Sequence, residues 1–296
     1  MSDNLARMTV VEDCLNVLLA SDTICEAFKE VCREHFHFAM FGSFTPPGSP
    51  VAIQLLDRFR TDWESHKTAK EEVGFRSAPL VPKTESESVL AYVLGSLSDR
   101  GASLLPKPAS AEASLYQDAY LFHRYYVNNS HTPAPYRTAL YEQTMENAPA
   151  AGSFEAQDVA EFFQVLHQRF FIEMHTFVPD VEDIEGWFDR LHERMEALAA
   201  ERNRFAEVVT NPDPEKVREY VTDTNFYNDG DAILQLAAAI RRGSRPSQEE
   251  IDAALAAEPG SWYARALKQG CSNLLNANAF FVGGIDQSKL SEHLAG

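Results

Sequence analysis

The sequence predicts an all-α protein, a single large multi-helix bundle of about ten helices. Three observations carry this. Apolar residues recur at helical spacing through most of the chain, no segment alternates apolar and polar residues as a half-buried strand would, and the breaks fall on proline, glycine and capping residues. At 45% apolar and 24% charged, the 296 residues are too apolar for a disordered polymer and numerous enough for a substantial core.

The first helix is expected over residues 10–20. Thr23 and Glu26 have the spacing of a capping box, in which hydroxyl and carboxylate each satisfy a free N–H, and predict a second helix running to about residue 40. Its stripe is Ile24, Phe28, Val31, Phe38 and Ala39. The proline- and glycine-rich stretch 44–50 stops it, because proline cannot continue a helix. A third helix over 51–69 sets Ile53, Leu56, Phe59 and Trp63 in register. A loop over 75–83, a helix over 85–97 and a connection over 98–110 follow.

Residues 112–128 read as an aromatic helix carrying Tyr116, Tyr120, Phe122, Tyr125 and Tyr126. A loop over 128–135 and a short helix over 136–147 come next. The small residues at 148–153 mark the one weak internal boundary in what is otherwise a single helical domain, 1–296. The strongest periodic signals are 155–177, with Phe162, Phe163, Leu166, Phe170, Phe171 and Met174, and 183–209, with Trp187, Leu191, Met195, Leu198 and Phe205; the core is expected to centre on these two helices. Pro214 opens the next helix, where its missing N–H costs nothing. Asp231 reads as the cap of a helix over 231–242, and Gly243 as its C-terminal glycine. Ser247 and Glu250 form a second capping box, and a last helix over 261–281 precedes a glycine-containing tail.

Charge excludes several partners. With 26 Lys+Arg against 44 Asp+Glu, the net charge of −18 disfavours nucleic acid and anionic membranes. No apolar run reaches the ~18–20 residues of a membrane span. The N-terminal apolar stretch is broken by Glu12, Asp13 and Asn16 and does not read as a signal peptide, so a cytoplasmic protein is expected. The four cysteines contain no Cys-x-x-Cys pair and read as reduced thiols. Glycine-rich phosphate loops, the G-x-S-x-G elbow, H-E-x-x-H and the EF-hand loop are all absent.

The histidines are what remain for chemistry, since imidazole ligates metals and titrates near neutral pH. His35 falls within the stripe of its helix; the rival pairing Glu34-x-x-His37 has the spacing of carboxylate-bridged di-iron bundles but faces outward if His35 faces in. His167 is flanked by Phe163, Phe170, Phe171 and Met174, with His175 near the edge of that stripe and His192 on the next long helix. His123 lies among the tyrosines of the aromatic helix. Imidazoles in aromatic stripes suit a planar ligand enclosed by helices.

The functional expectation is therefore a helical iron-dependent oxidoreductase acting on a small aromatic substrate. Haem is favoured over di-iron because the two Glu-x-x-His motifs of a di-iron site are not found. His167, His175 and His192 are the candidate metal ligands, His35 and His123 the candidate catalytic groups, and Arg124, Tyr136 and Arg137 the candidate contacts to haem propionates. The alternatives are non-haem iron, an acidic protein-interaction module without chemistry, and a metal-free helical enzyme with a His or Glu general base. The expected partners are a small-molecule substrate and, in a homo-oligomer, further copies of the chain.

Overall fold

The computed structural model describes residues 4–44, 48–73, 83–127, 155–157, 159–160 and 184–295. The fold is all-α, and no strand occurs among the described residues. In chain order the helices are α1 (Asn4–Ala20), α2 (Glu26–Glu34), α3 (Phe36–Phe44), α4 (Ser49–Val73), α5 (Lys83–Ala102) and α6 (Ala111–Phe122), which passes into a π-helical turn (His123–Val127). They continue with α7 (Ile184–Thr210), α8 (Pro214–Val217) with a second π-helical turn (Arg218–Thr222), α9 (Ala232–Arg241), α10 (Gln248–Ala256), α11 (Trp262–Phe281) and α12 (Gln287–Ala295). None of the described helices is long and apolar enough to cross a membrane.

The core of the described residues is built on α1, α3, α5 and α11. Helix α1 is buried nearly all round: Val10, Val11, Cys14 and Leu15 have no exposed surface. Helix α5 packs on α3, on α11 and on α1. Two of these crossings are close. A Cβ at Gly95 would overlap the carbonyl of Ala39, and one at Gly101 would overlap the carbonyl of Ala266, so only glycine lets α5 approach α3 and α11 this closely.

Of the stripe expected over 183–209, Phe205 is fully buried, with Ala206 and Val209 beside it, and the side chains of Trp187, Leu191, Met195 and Leu198 lie outside the described residues. A helix buried all round, as α1 is with Thr9, Glu12, Asp13 and Asn16 inside, shows no apolar stripe, so a search for stripes passes it over. The expected helices over 155–177 (apart from 155–157 and 159–160) and 136–147, most of the loop over 75–83, the loop 128–135 and the boundary at 148–153 lie outside the described residues.

Local signals held at several ends. Ser247 and Glu250 form the reciprocal capping box, Pro214 opens α8, and Gly243 closes α9 with φ 88°. Three details differ. The capping box at Thr23 does not form: Cys25 flanks α2, and its N–H donates to Asn278 Oδ1 at 2.9 Å, while Asn278 Nδ2 donates to the Thr23 carbonyl at 3.2 Å. A tertiary partner has replaced the local one. The expected second helix breaks at His35, whose φ −124° and ψ 30° separate α2 from α3. Asp231 precedes α9 but turns its carboxylate to the start of α11, accepting from the N–H groups of Gly260 (2.6 Å) and Ser261 (3.0 Å).

Candidate functional site

Because α1 has no aqueous face, its polar residues lie inside the bundle. Glu12 is 1% exposed and Asp13 is fully buried. Ionised carboxylates there demand a partner, since an unpaired buried charge is very costly. Arg241, the last residue of α9, supplies it. Its Nε donates to Asp13 Oδ1 at 2.7 Å and its Nη1 to Glu12 Oε1 at 3.1 Å. The Tyr125 hydroxyl, from the π-helical turn after α6, donates to Asp13 Oδ2 at 2.7 Å, and the Tyr263 hydroxyl of α11 lies 3.3 Å from the same oxygen. The guanidinium stacks on the Tyr125 ring, 3.7 Å from its centroid.

Burial pushes the Asp13 carboxyl above its ordinary range, and Arg241 and the Tyr125 hydroxyl pull it back. Burial works against the charge of Arg241 too, but Asp13 and Glu12 outweigh it and hold the guanidinium firmly protonated. Burial, followed by the Asp13 charge, drives the Tyr125 phenol well above its ordinary range; the Tyr263 phenol is raised for the same reasons. Both tyrosines are therefore neutral donors. Both Asp13 oxygens are engaged, so this carboxylate positions Arg241 and has little capacity left to act as a base.

Arg241 and Tyr125 also line a pocket of about 210 Å³, together with Arg124, Tyr227, Asp229, Ala238 and Arg242. A guanidinium has five N–H donors. The Nη2 of Arg241 approaches Asp13 Oδ1 to 2.5 Å as an ion pair but is aligned for no hydrogen bond, although it is buried. Arg124 pairs with Asp229 and makes cation–π contacts with Tyr120 (5.1 Å) and Tyr227 (4.8 Å). Arg242 is exposed. The charges around the pocket balance: Arg124 against Asp229, and Arg241 with Arg242 against Glu12 and Asp13. A second hollow, about 370 Å³ at the end of α7, is lined by Glu207, Val208, Thr210 and Asn211 and offers neither cation nor ring.

Of the residues singled out from sequence, Arg124 lies on the Arg241 pocket. His35 and His123 do not line it. His35 is buried at the α2–α3 joint with its Nε2 3.4 Å from Glu87 Oε2. His123 is half-buried and its Nε2 contacts the carbonyl oxygen of Val209. His192 is on the exposed side of α7. His167, His175, Tyr136 and Arg137 lie outside the described residues; His37 belongs to α3, but its side chain also lies outside them. Among the described residues the one group with metal-ligating spacing is Glu34, His35 and Glu87.

Sequence reasoning passed over Glu12, Asp13, Arg241 and Tyr263. The signal was present: two adjacent acids inside an apolar stretch belong either to a broken helix or to a buried network. No protein-family model, curated protein or solved structure matches this chain.

Proposed function

We propose that the protein binds a small, carboxylate-bearing molecule in the Arg241 pocket. The observation that carries this reading is the convergence of three arginines on one pocket: Arg241, buried and fixed by Glu12 and Asp13, Arg124, and the exposed Arg242. Planar carboxylates match the guanidinium fork. The balanced charge around the site favours a monoanion over a doubly charged phosphate ester, because each extra charge would enter a neutral, partly desolvated space. Tyr227 and Ala238 offer the ligand's apolar body a wall.

The volume, about 210 Å³, is below the roughly 300–1,000 Å³ of pockets that enclose drug-sized ligands, so the occupant is a small metabolite rather than a haem. The haem expectation rests on His167, His175 and His192 as candidate ligands and on Arg124, Tyr136 and Arg137 as propionate contacts, of which Arg124 lines this pocket. The satisfied state of Asp13 favours binding over acid–base chemistry at this site.

Calorimetric titration with benzoate, phenyl phosphate and benzamide tests the proposal. Benzoate should bind saturably, one per chain, and the neutral amide and the phosphate ester should each bind at least tenfold more weakly. Equal heats from benzamide and benzoate, or no binding of benzoate, would remove it.

A further inference from the structure

Helix α2 ends at Glu34, His35 leaves helical geometry with φ −124° and ψ 30°, and α3 restarts at Phe36. In an unbroken helix, consecutive residues diverge by about 100° and do not share a face. The break removes that divergence. Donor atoms of Glu34, His35 and, from α5, Glu87 all lie within 4.8 Å of one another. We propose that these three side chains form a binding site for one divalent transition-metal ion.

Two distances favour an ion over a simple hydrogen-bonded pair. Charge-assisted N–H···O contacts settle at about 2.7–2.9 Å, yet His35 Nε2 and Glu87 Oε2 stand 3.4 Å apart although both groups are buried. Donors held about 2.0–2.2 Å from a tetrahedral ion lie about 3.3–3.6 Å apart. The His35–Glu87 pair already has this spacing. Glu34 is exposed, and a side-chain shift of at most about 1.5 Å brings its carboxylate from within 4.8 Å to the same spacing. The Phe38 ring, 6.0 Å from the imidazole, packs beside the site.

One nitrogen and two carboxylates form a borderline donor set that suits zinc, manganese or ferrous iron rather than cuprous copper. Three protein ligands leave a fourth position open to water, the arrangement of catalytic rather than structural zinc sites. The site is independent of the Arg241 pocket and stands or falls without it.

Zinc competition against a chromophoric chelator tests the site on the full-length protein. The wild type should take up one zinc with Glu34, His35 and Glu87 as ligands. Glu34→Gln should bind about tenfold or more weakly, and His35→Ala should lose that ion. Because Glu34 is exposed, Glu34→Gln keeps the fold and decides the matter even if His35→Ala does not fold; circular dichroism checks both. Cobalt at the same site should show d–d bands without thiolate charge transfer. Unchanged zinc affinity in Glu34→Gln, no zinc uptake by the wild type, or a thiolate band placing the ion on a cysteine would each overturn the proposal.

Discussion

Arg241 and Asp13 stand 228 residues apart in the chain and meet inside the bundle, with Nε 2.7 Å from Oδ1. The contact locks α9 to α1, and two tyrosines and a second acid complete its shell. A buried ion pair of this kind adds little net stability compared with an apolar replacement, but breaking it on one side is severe.

Arg241→Met should therefore cost about 3–5 kcal/mol or prevent folding, because it strands Glu12 and Asp13 without a counter-charge. The triple variant Glu12→Gln, Asp13→Asn, Arg241→Met should recover much of that loss. Urea denaturation of the two variants measures both effects.

Gly95→Ala should destabilise by about 1–3 kcal/mol or more, since the new methyl meets the Ala39 backbone and α3 must move away from α5. Thermal unfolding of this variant beside Gly230→Ala, where the added methyl meets the Asn228 side chain instead of a neighbouring helix, separates crowding at the crossing from the general effect of the substitution.

How far the sequence could be read follows from the range of each interaction. The capping box at Ser247, Pro214 at the start of α8 and Gly243 after α9 were legible because their partners lie within four residues. The Thr23 box and the Asp231 cap were misread because Asn278 and Ser261, distant in sequence, compete for the same groups. Arg124, expected as a contact to haem propionates, lies on the pocket. Arg241 was not singled out, because nothing near it in the chain announces Asp13. The break at His35 was hidden in a continuous apolar stripe: Phe28, Val31 and Phe38 keep helical spacing across a joint that only packing reveals.

Acid should weaken the contact between α6 and α8. The hydrogen bond from Lys216 holds the Glu112 carboxyl below its ordinary range. A carboxyl depressed in the folded state stabilises above its unfolded pKa, about 4.3 for Glu, and loses that contribution as pH falls through the folded value. The melting temperature of the wild type should exceed that of Glu112→Gln at neutral pH, and the gap should close below about pH 4.

Thiol reactivity should be low in the native state. Burial pushes Cys32 up to about 12 and Cys14 well above the ordinary thiol range, and Cys271 is buried. At pH 8, Ellman's reagent should label half-buried Cys25 first, and all four thiols should react only after denaturation.

The most direct measurement is calorimetric titration of benzoate into the wild type and into Arg242→Gln, with Arg218→Gln as a control cation outside the pocket. Arg242 and Arg218 are exposed, so neither substitution disturbs the core. The account predicts about tenfold weaker binding for Arg242→Gln, the loss of one charge-assisted hydrogen bond, and wild-type binding for Arg218→Gln. Equal affinity in all three proteins would contradict it and place the carboxylate elsewhere.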